Sequence, residues 1–81
     1  MIDKDDLALR KHLARFIPAR REELGLSQAD LCRATGDSST QISRAELGKH
    51  TISGAFARRL ARALECSTDE ILGHEMPSFT K

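Results

Sequence analysis

The feature that most constrains this chain is a pair of helix start-and-stop signals set close together in residues 27–49, SQADLCRATGDSSTQISRAELGK. Ser27 precedes an apolar-periodic run. Asp30 stands three residues later, where its carboxylate can meet free backbone donors while the serine oxygen accepts an amide. Leu31, Ala34 and Thr35 continue one face at helical spacing. Gly36, the residue that most easily takes the left-handed conformation, ends the run. Ser38 and Gln41 repeat the box as S-x-x-Q and open a second helix through Ile42 and Ala45 to about Leu47, with Gly48 as its terminator. Only Gly36, Asp37 and Ser38 separate the two, so they form one tightly joined unit.

Projecting the second helix at about 100° per residue separates its two sides. Ile42 defines the buried direction, and Ser38, Ala45 and Glu46 fall within about 60° of it. Thr40, Ser43, Arg44 and Leu47 gather on the opposite side, with Ser39 at its margin. That outer face is mostly small and hydrogen-bonding. Short hydroxyls with one arginine allow close approach to base edges, and a guanidinium can grip guanine with two parallel bonds. As a purely structural feature, the same face is an exposed polar stripe whose C-terminal arginine suits the helix dipole.

The remaining segments support this unit. Ser53 caps a helix in which Phe56, Leu60, Ala63 and Leu64 keep helical spacing, and Ser67 with Glu70 opens a short one through Ile71 and Leu72 that stops at Gly73. Ahead of the unit, Leu9, Leu13, Phe16, Ile17 and Leu24 share a face from Asp5 onward. Pro18 removes a backbone donor there and predicts a kink or break near residues 14–17. The expectation is an all-α bundle of five helices with an N-terminally extended first helix.

Composition agrees with a single domain, because 81 residues bury one core. With 40% apolar residues and no Trp or Tyr, that core should be aliphatic. No segment approaches the ~20 apolar residues of a membrane span, and the acidic start MIDKDD is unlike a signal peptide. These features predict a soluble, cytoplasmic protein. Cys32 and Cys66 are far apart and lack C-x-x-C spacing, so they read as core thiols. His12, His50 and His74 are equally scattered, and neither a metal site nor a cofactor is expected.

The net charge of +1 hides an uneven distribution. Residues 38–62 carry Arg44, Lys49, Arg58, Arg59 and Arg62 against Glu46 alone, whereas residues 63–81 carry one basic and four acidic groups. Phosphate binding depends on local positive charge and aimed amide donors rather than on the global balance. Arg58, Arg59 and Arg62 lie on a later helix whose polar outer face is the default, so Arg44 and Lys49 carry more weight.

Order and spacing together resemble the lambda-repressor-like helix-turn-helix family, which includes phage repressors, Cro proteins and many small bacterial regulators. The residues that carry the resemblance are Arg21, Leu24-Gly25-Leu26-Ser27-Gln28, Leu31, Gly36, Ile42-Ser43-Arg44, Glu46, Gly48-Lys49, Leu60-Ala61-Arg62-Ala63-Leu64 and Asp69-Glu70-Ile71-Leu72. The chain departs from the family pattern at Cys32, Asp37, Ala45, Leu47 and Ile52. The resemblance implies a DNA-binding domain over residues 17–73, with residues 1–16 as a helical extension and 74–81 as a short tail. It places a recognition helix at about residues 39–47 in the major groove. Ser39, Thr40, Ser43 and Arg44 then read bases, and Gln28, Ser38 and Lys49 hold phosphates. Gln41, whose side chain the cap also claims, and Leu47 stand as undecided DNA contacts. Arg21 and Glu46 correspond to residues that commonly form an ion pair in the family. Such a pair would balance a carboxylate otherwise disfavoured near a helix C-terminus.

A domain this small makes few contacts, so a homodimer on a near-palindromic operator is the expected form. The resemblance implies a small transcriptional regulator, a repressor before an activator, although the position of the site relative to a promoter decides between them. The N-terminal extension, the last helix, and Met76 and Phe79 of the tail are candidate dimer surfaces. An enzyme is not expected, because the glycines form no phosphate loop and no nucleophile-base-acid spacing appears. The rival class is a module that binds a protein partner, such as an antitoxin. Loss of DNA binding predicts an acidic or bulky outer face, which Thr40, Ser43 and Arg44 do not provide.

Overall fold

Four serines set where the helices begin. The computed structural model describes residues 4–73, whose regular elements are α1 (Lys4–Glu23), α2 (Gln28–Thr35), α3 (Ser39–Glu46), α4 (Gly54–Ala63) and α5 (Thr68–Leu72). Ser27, Ser38, Ser53 and Ser67 stand extended before α2 to α5, each hydroxyl oxygen accepting the amide three residues on. Asp30 and Glu70 return the bond to the amides of Ser27 and Ser67, at 2.9 and 3.0 Å. Gln41 does not: its amide donates to Ser38 Oγ at 3.2 Å, but its side chain leaves the cap, and the S-x-x-Q box forms only by half. A neutral amide gains less than a carboxylate from the positive end of a helix dipole.

The first helix is continuous. Pro18 lies inside α1, so of the expected kink or break there the helix shows no break, and Leu13 and Ile17 just ahead of the proline are fully buried and hold the helix against the rest of the fold. The core they join is aliphatic, as the composition predicts, with Leu31, Ile42, Leu60, Leu64 and Ile71 fully enclosed and Phe56 the one buried aromatic ring among the described residues. α1 packs on α3 and α5, α2 on α3 and α4, and α4 on α5. Thr35 faces inward and satisfies its hydroxyl on the Leu31 carbonyl at 2.9 Å, whereas Ala34, expected on the same face, is exposed. Cys32 and Cys66 are half-buried free thiols packed against the core, and burial pushes the Cys66 thiol up from its ordinary value. Expectations about Met76, Phe79 and the rest of 74–81, and about residues 1–3, lie outside the described residues.

Three contacts fix the helix ends. After α3, the Lys49 amide bonds to the Arg44 carbonyl and the Gly48 amide to that of Ala45, a left-handed turn with Gly48 at φ +72°. A Cβ on Gly48 would lie 3.0 Å from the Arg10 carbonyl oxygen, so glycine lets α3 end directly against α1. After α4 the same kind of turn falls on Glu65, at φ +56° without being glycine. Arg20 secures it, donating to the carbonyls of Leu64 and Glu65 at 2.9 and 3.1 Å. At the other face of α1, His12 Nε2 meets the Glu70 carbonyl oxygen at 2.7 Å while the ring stacks on Phe16, joining α1 to α5.

Two outcomes follow from these ends. Glu65→Gly should raise stability by roughly 0.5–1 kcal/mol, seen as a thermal midpoint a few degrees higher, because a left-handed residue with a side chain is strained. An unchanged or lower midpoint would show that Arg20 removes the strain. The Ser27 amide holds the Asp30 carboxyl below its usual range, so its contribution is present above the unfolded value and lost as pH falls through the folded one. Asp30→Asn should therefore flatten the decline of the thermal midpoint below about pH 4.5.

Candidate nucleic-acid interface

The inner side of α3 is anchored on a buried carboxylate. Ile42 and Ala45 enter the core, and Glu46 is only 8% exposed at the end of the helix. Burial and the negative end of the helix dipole both disfavour a charged carboxylate there. It is compensated from two other helices. Arg21 of α1 donates Nε to Glu46 Oε2 at 2.7 Å and Nη2 to Oε1 at 3.1 Å, and Gln28 of α2 donates Nε2 to Oε1 at 2.9 Å. The remaining Arg21 nitrogen reaches the Leu26 carbonyl at 2.9 Å. The expected Arg21 to Glu46 pair is therefore present and two-pronged, and the carboxylate holds the guanidinium proton still more firmly than usual.

With the inner side thus committed, the outer side of α3 is left to solvent. Ser39, Thr40, Arg44 and Leu47 are exposed and Ser43 is half-buried. These five, with Gln28 and Lys49, line one shallow open depression. The four candidate base readers and two of the three candidate phosphate contacts thus converge on a single surface. Ser38 stands at the start of α3, exposed, its oxygen accepting the Gln41 amide while its own proton is available to donate. Gln41 faces away, into a neighbouring cleft with Asp37, His50 and Arg59 that Arg44 also borders. Leu47, at 63% exposure, adds an apolar group beside Arg44. Gln28 enters the depression with its amide already oriented by Glu46.

The arrangement supports contact with a polyanion whose edges carry hydrogen-bonding groups. The start of α2 supplies backbone donors beside the Gln28 amide, and Lys49 supplies charge at the far side. Between them stand hydroxyls, a guanidinium and one aliphatic side chain. Within this set of residues no acid faces outward.

Sequence reasoning did not find the contact that closes the turn. Asp37, an acid where the family pattern is apolar, is 8% exposed in its side chain and takes two bonds from Arg59 of α4, at 3.0 and 2.8 Å. The Arg59 guanidinium lies over the Phe56 ring, 5.7 Å from its centre. Arg59 is thus tied to the turn and differs from the exposed Arg58 and Arg62. The one signal was the misplaced acid itself, which requires a cation, but 22 residues separate the partners and nothing local says which arginine answers it.

Among the described residues, no group of three or more His, Cys, Asp or Glu is placed to hold a metal ion. No helix among them is long and apolar enough to cross a membrane.

A family model described as a helix-turn-helix domain matches residues 12–72. Cyanate hydratases of two Pseudomonas aeruginosa strains are 36% identical to this chain over 63 residues, which is 78% of this chain and 40% of theirs. The Pseudomonas paraeruginosa cyanate hydratase matches to the same extent. The chain therefore spans well under half the length of these relatives, and the similarity concerns one part of them.

Removing the Glu46 carboxylate leaves the Arg21 guanidinium without its main partner, so Glu46→Ala should lower stability by roughly 3 kcal/mol. Glu22→Ala, on the exposed side of α1, should lower it by no more than about 0.5 kcal/mol. Chemical denaturation of the two variants decides this, and equal midpoints would remove the pair from the account.

Proposed function

The chain belongs to the helix-turn-helix domain family, and from that premise we propose that it is a sequence-specific reader of double-stranded DNA of the lambda-repressor-like type, working as a small transcriptional repressor. The observation that carries the reading is the convergence of Gln28, Ser39, Thr40, Ser43, Arg44 and Lys49 on one exposed surface around α3. In this reading α3 enters the major groove. Arg44 grips a guanine edge, the three hydroxyls meet adjacent base edges, and Leu47 contacts a thymine methyl group. Gln28, Ser38 and Lys49 take phosphates on either side and fix the register. Residues 17–73 form the reading unit, two copies of it bind a near-palindromic site, and the protein works in the cytoplasm at the nucleoid. It needs no cofactor and carries no catalysis of its own.

A second reading, a module that binds a partner protein, antitoxins included, is favoured by one observation. A sequence similar to this domain also forms part of proteins named for a hydratase activity. The readings differ at the α3 surface where the module has lost DNA binding, since such a module has no reason to keep that surface small, hydroxyl-rich and basic, whereas an antitoxin can bind DNA as well.

Selection of bound sequences from random duplex DNA tests the proposal. A palindromic winner supports it, and the absence of enrichment at low salt would favour the second reading. On the selected site, Arg44→Ala should cost roughly 1–3 kcal/mol and relax preference at one base position. Lys49→Ala should weaken all sequences alike and reduce the salt slope by about one. Titrations across salt separate the two, and identical behaviour of the variants would overturn the assigned roles.

A further inference from the structure

Away from α3, two shallow grooves of opposite charge meet at one side chain. The first lies between the start of α1 and the end of α5, with Asp5, Asp6, Leu9 and Leu72 in its wall. The second lies between α4 and α5, with Ala55, Arg58, Arg62 and again Leu72. Leu72 is half-buried and packed against the core, so an apolar ridge separates an acidic flank from a basic one. Asp5, Asp6, Arg58 and Arg62 are all exposed, and none forms an ion pair within the described residues.

Either flank alone is ordinary: acids suit a helix start and arginines suit a solvated face. Their placement on both sides of one apolar ridge is what selects a partner. An occupant of this surface must present base opposite Asp5 and Asp6, acid opposite Arg58 and Arg62, and an apolar group between. A second copy of the chain, turned by a two-fold rotation whose axis runs along the ridge at Leu72, presents that arrangement, because this rotation brings each flank of one protomer against the other flank of its partner. DNA does not suit it, since the acidic flank repels phosphate and the basic groove borders α5 rather than α3.

We propose that the protein dimerises through this surface, with Leu72 of two copies at the centre and Asp5 and Asp6 of each protomer against Arg58 and Arg62 of its partner. The inference rests on the homodimer in the reading above but is tested without DNA, so its failure and that of DNA recognition are distinguishable. Sedimentation equilibrium of the full chain at low salt should show a dimer that weakens as salt is raised from about 50 to about 500 mM. Asp5→Lys with Asp6→Lys places like charges together on both sides of the axis, as does Arg58→Glu with Arg62→Glu. Each double variant should weaken the dimer at least ~10-fold. Mixing the two in equal amounts pairs opposite charges at both flanks again and should restore wild-type association as a heterodimer. A monomer at all concentrations, salt-independent association, double variants that still dimerise fully through another face or through 74–81, or a mixture that does not recover would each overturn the proposal.

Discussion

The arrangement of the first three helices depends on one buried carboxylate. Glu46 closes α3 at the position where a helix least tolerates negative charge, and it does so out of water. Two bonds from Arg21 and one from Gln28 make that placement tenable, and each donor comes from a different helix. Losing one partner of a buried pair costs more than forming the pair contributes, so such a contact specifies an arrangement more than it stabilises it. Here it holds α3 against α1 and at the same time ties down the side-chain amide of Gln28, which borders the surface that α3 presents. Stability and the shape of the candidate interface therefore share one group.

The other contacts around α3 act in the same direction. Gly48 lets the helix end against the α1 backbone, and Asp37 with Arg59 locks the turn at its other end to α4. Ile42 and Ala45 complete the inner side. Rotation of α3 would break several of these at once, so its outer residues are presented in a fixed register. A short helix of eight residues has little stability of its own, and tertiary anchoring is what holds it in place. A ligand that met the hydroxyls on its outer face would therefore impose no ordering cost on the backbone.

Much of this was legible in the sequence because the signals are local. Ser27, Ser53 and Ser67 marked helix starts, Gly36 and Gly73 marked ends, and the period of Leu31, Ile42, Leu60 and Ile71 marked the core. The projection of α3 separated Ile42, Ala45 and Glu46 from Thr40, Ser43 and Arg44 with no further information. Where the reading failed, a tertiary contact or a competing site had overridden a local rule. Gln41 left its cap for a cleft that only the folded chain creates. Ala34 kept helical spacing with Leu31 yet lies outside the packed face. Asp37 and Arg59 were individually visible, but their pairing is a property of the fold. The grooves that meet at Leu72 were equally hidden, because α1, α4 and α5 come together only in three dimensions.

The central claim is that the surface built around α3 by the Glu46 anchor is where DNA binds. Backbone amide chemical shifts of the protein, followed by NMR as a short duplex carrying the selected site is added at low salt, report on it directly. The account predicts that the largest changes fall on Gln28, on Ser39 to Arg44 and on Lys49, with α5 and the start of α1 changing only through association of two copies. Changes centred on α4 and α5 with α3 unmoved, or none at all, would contradict it.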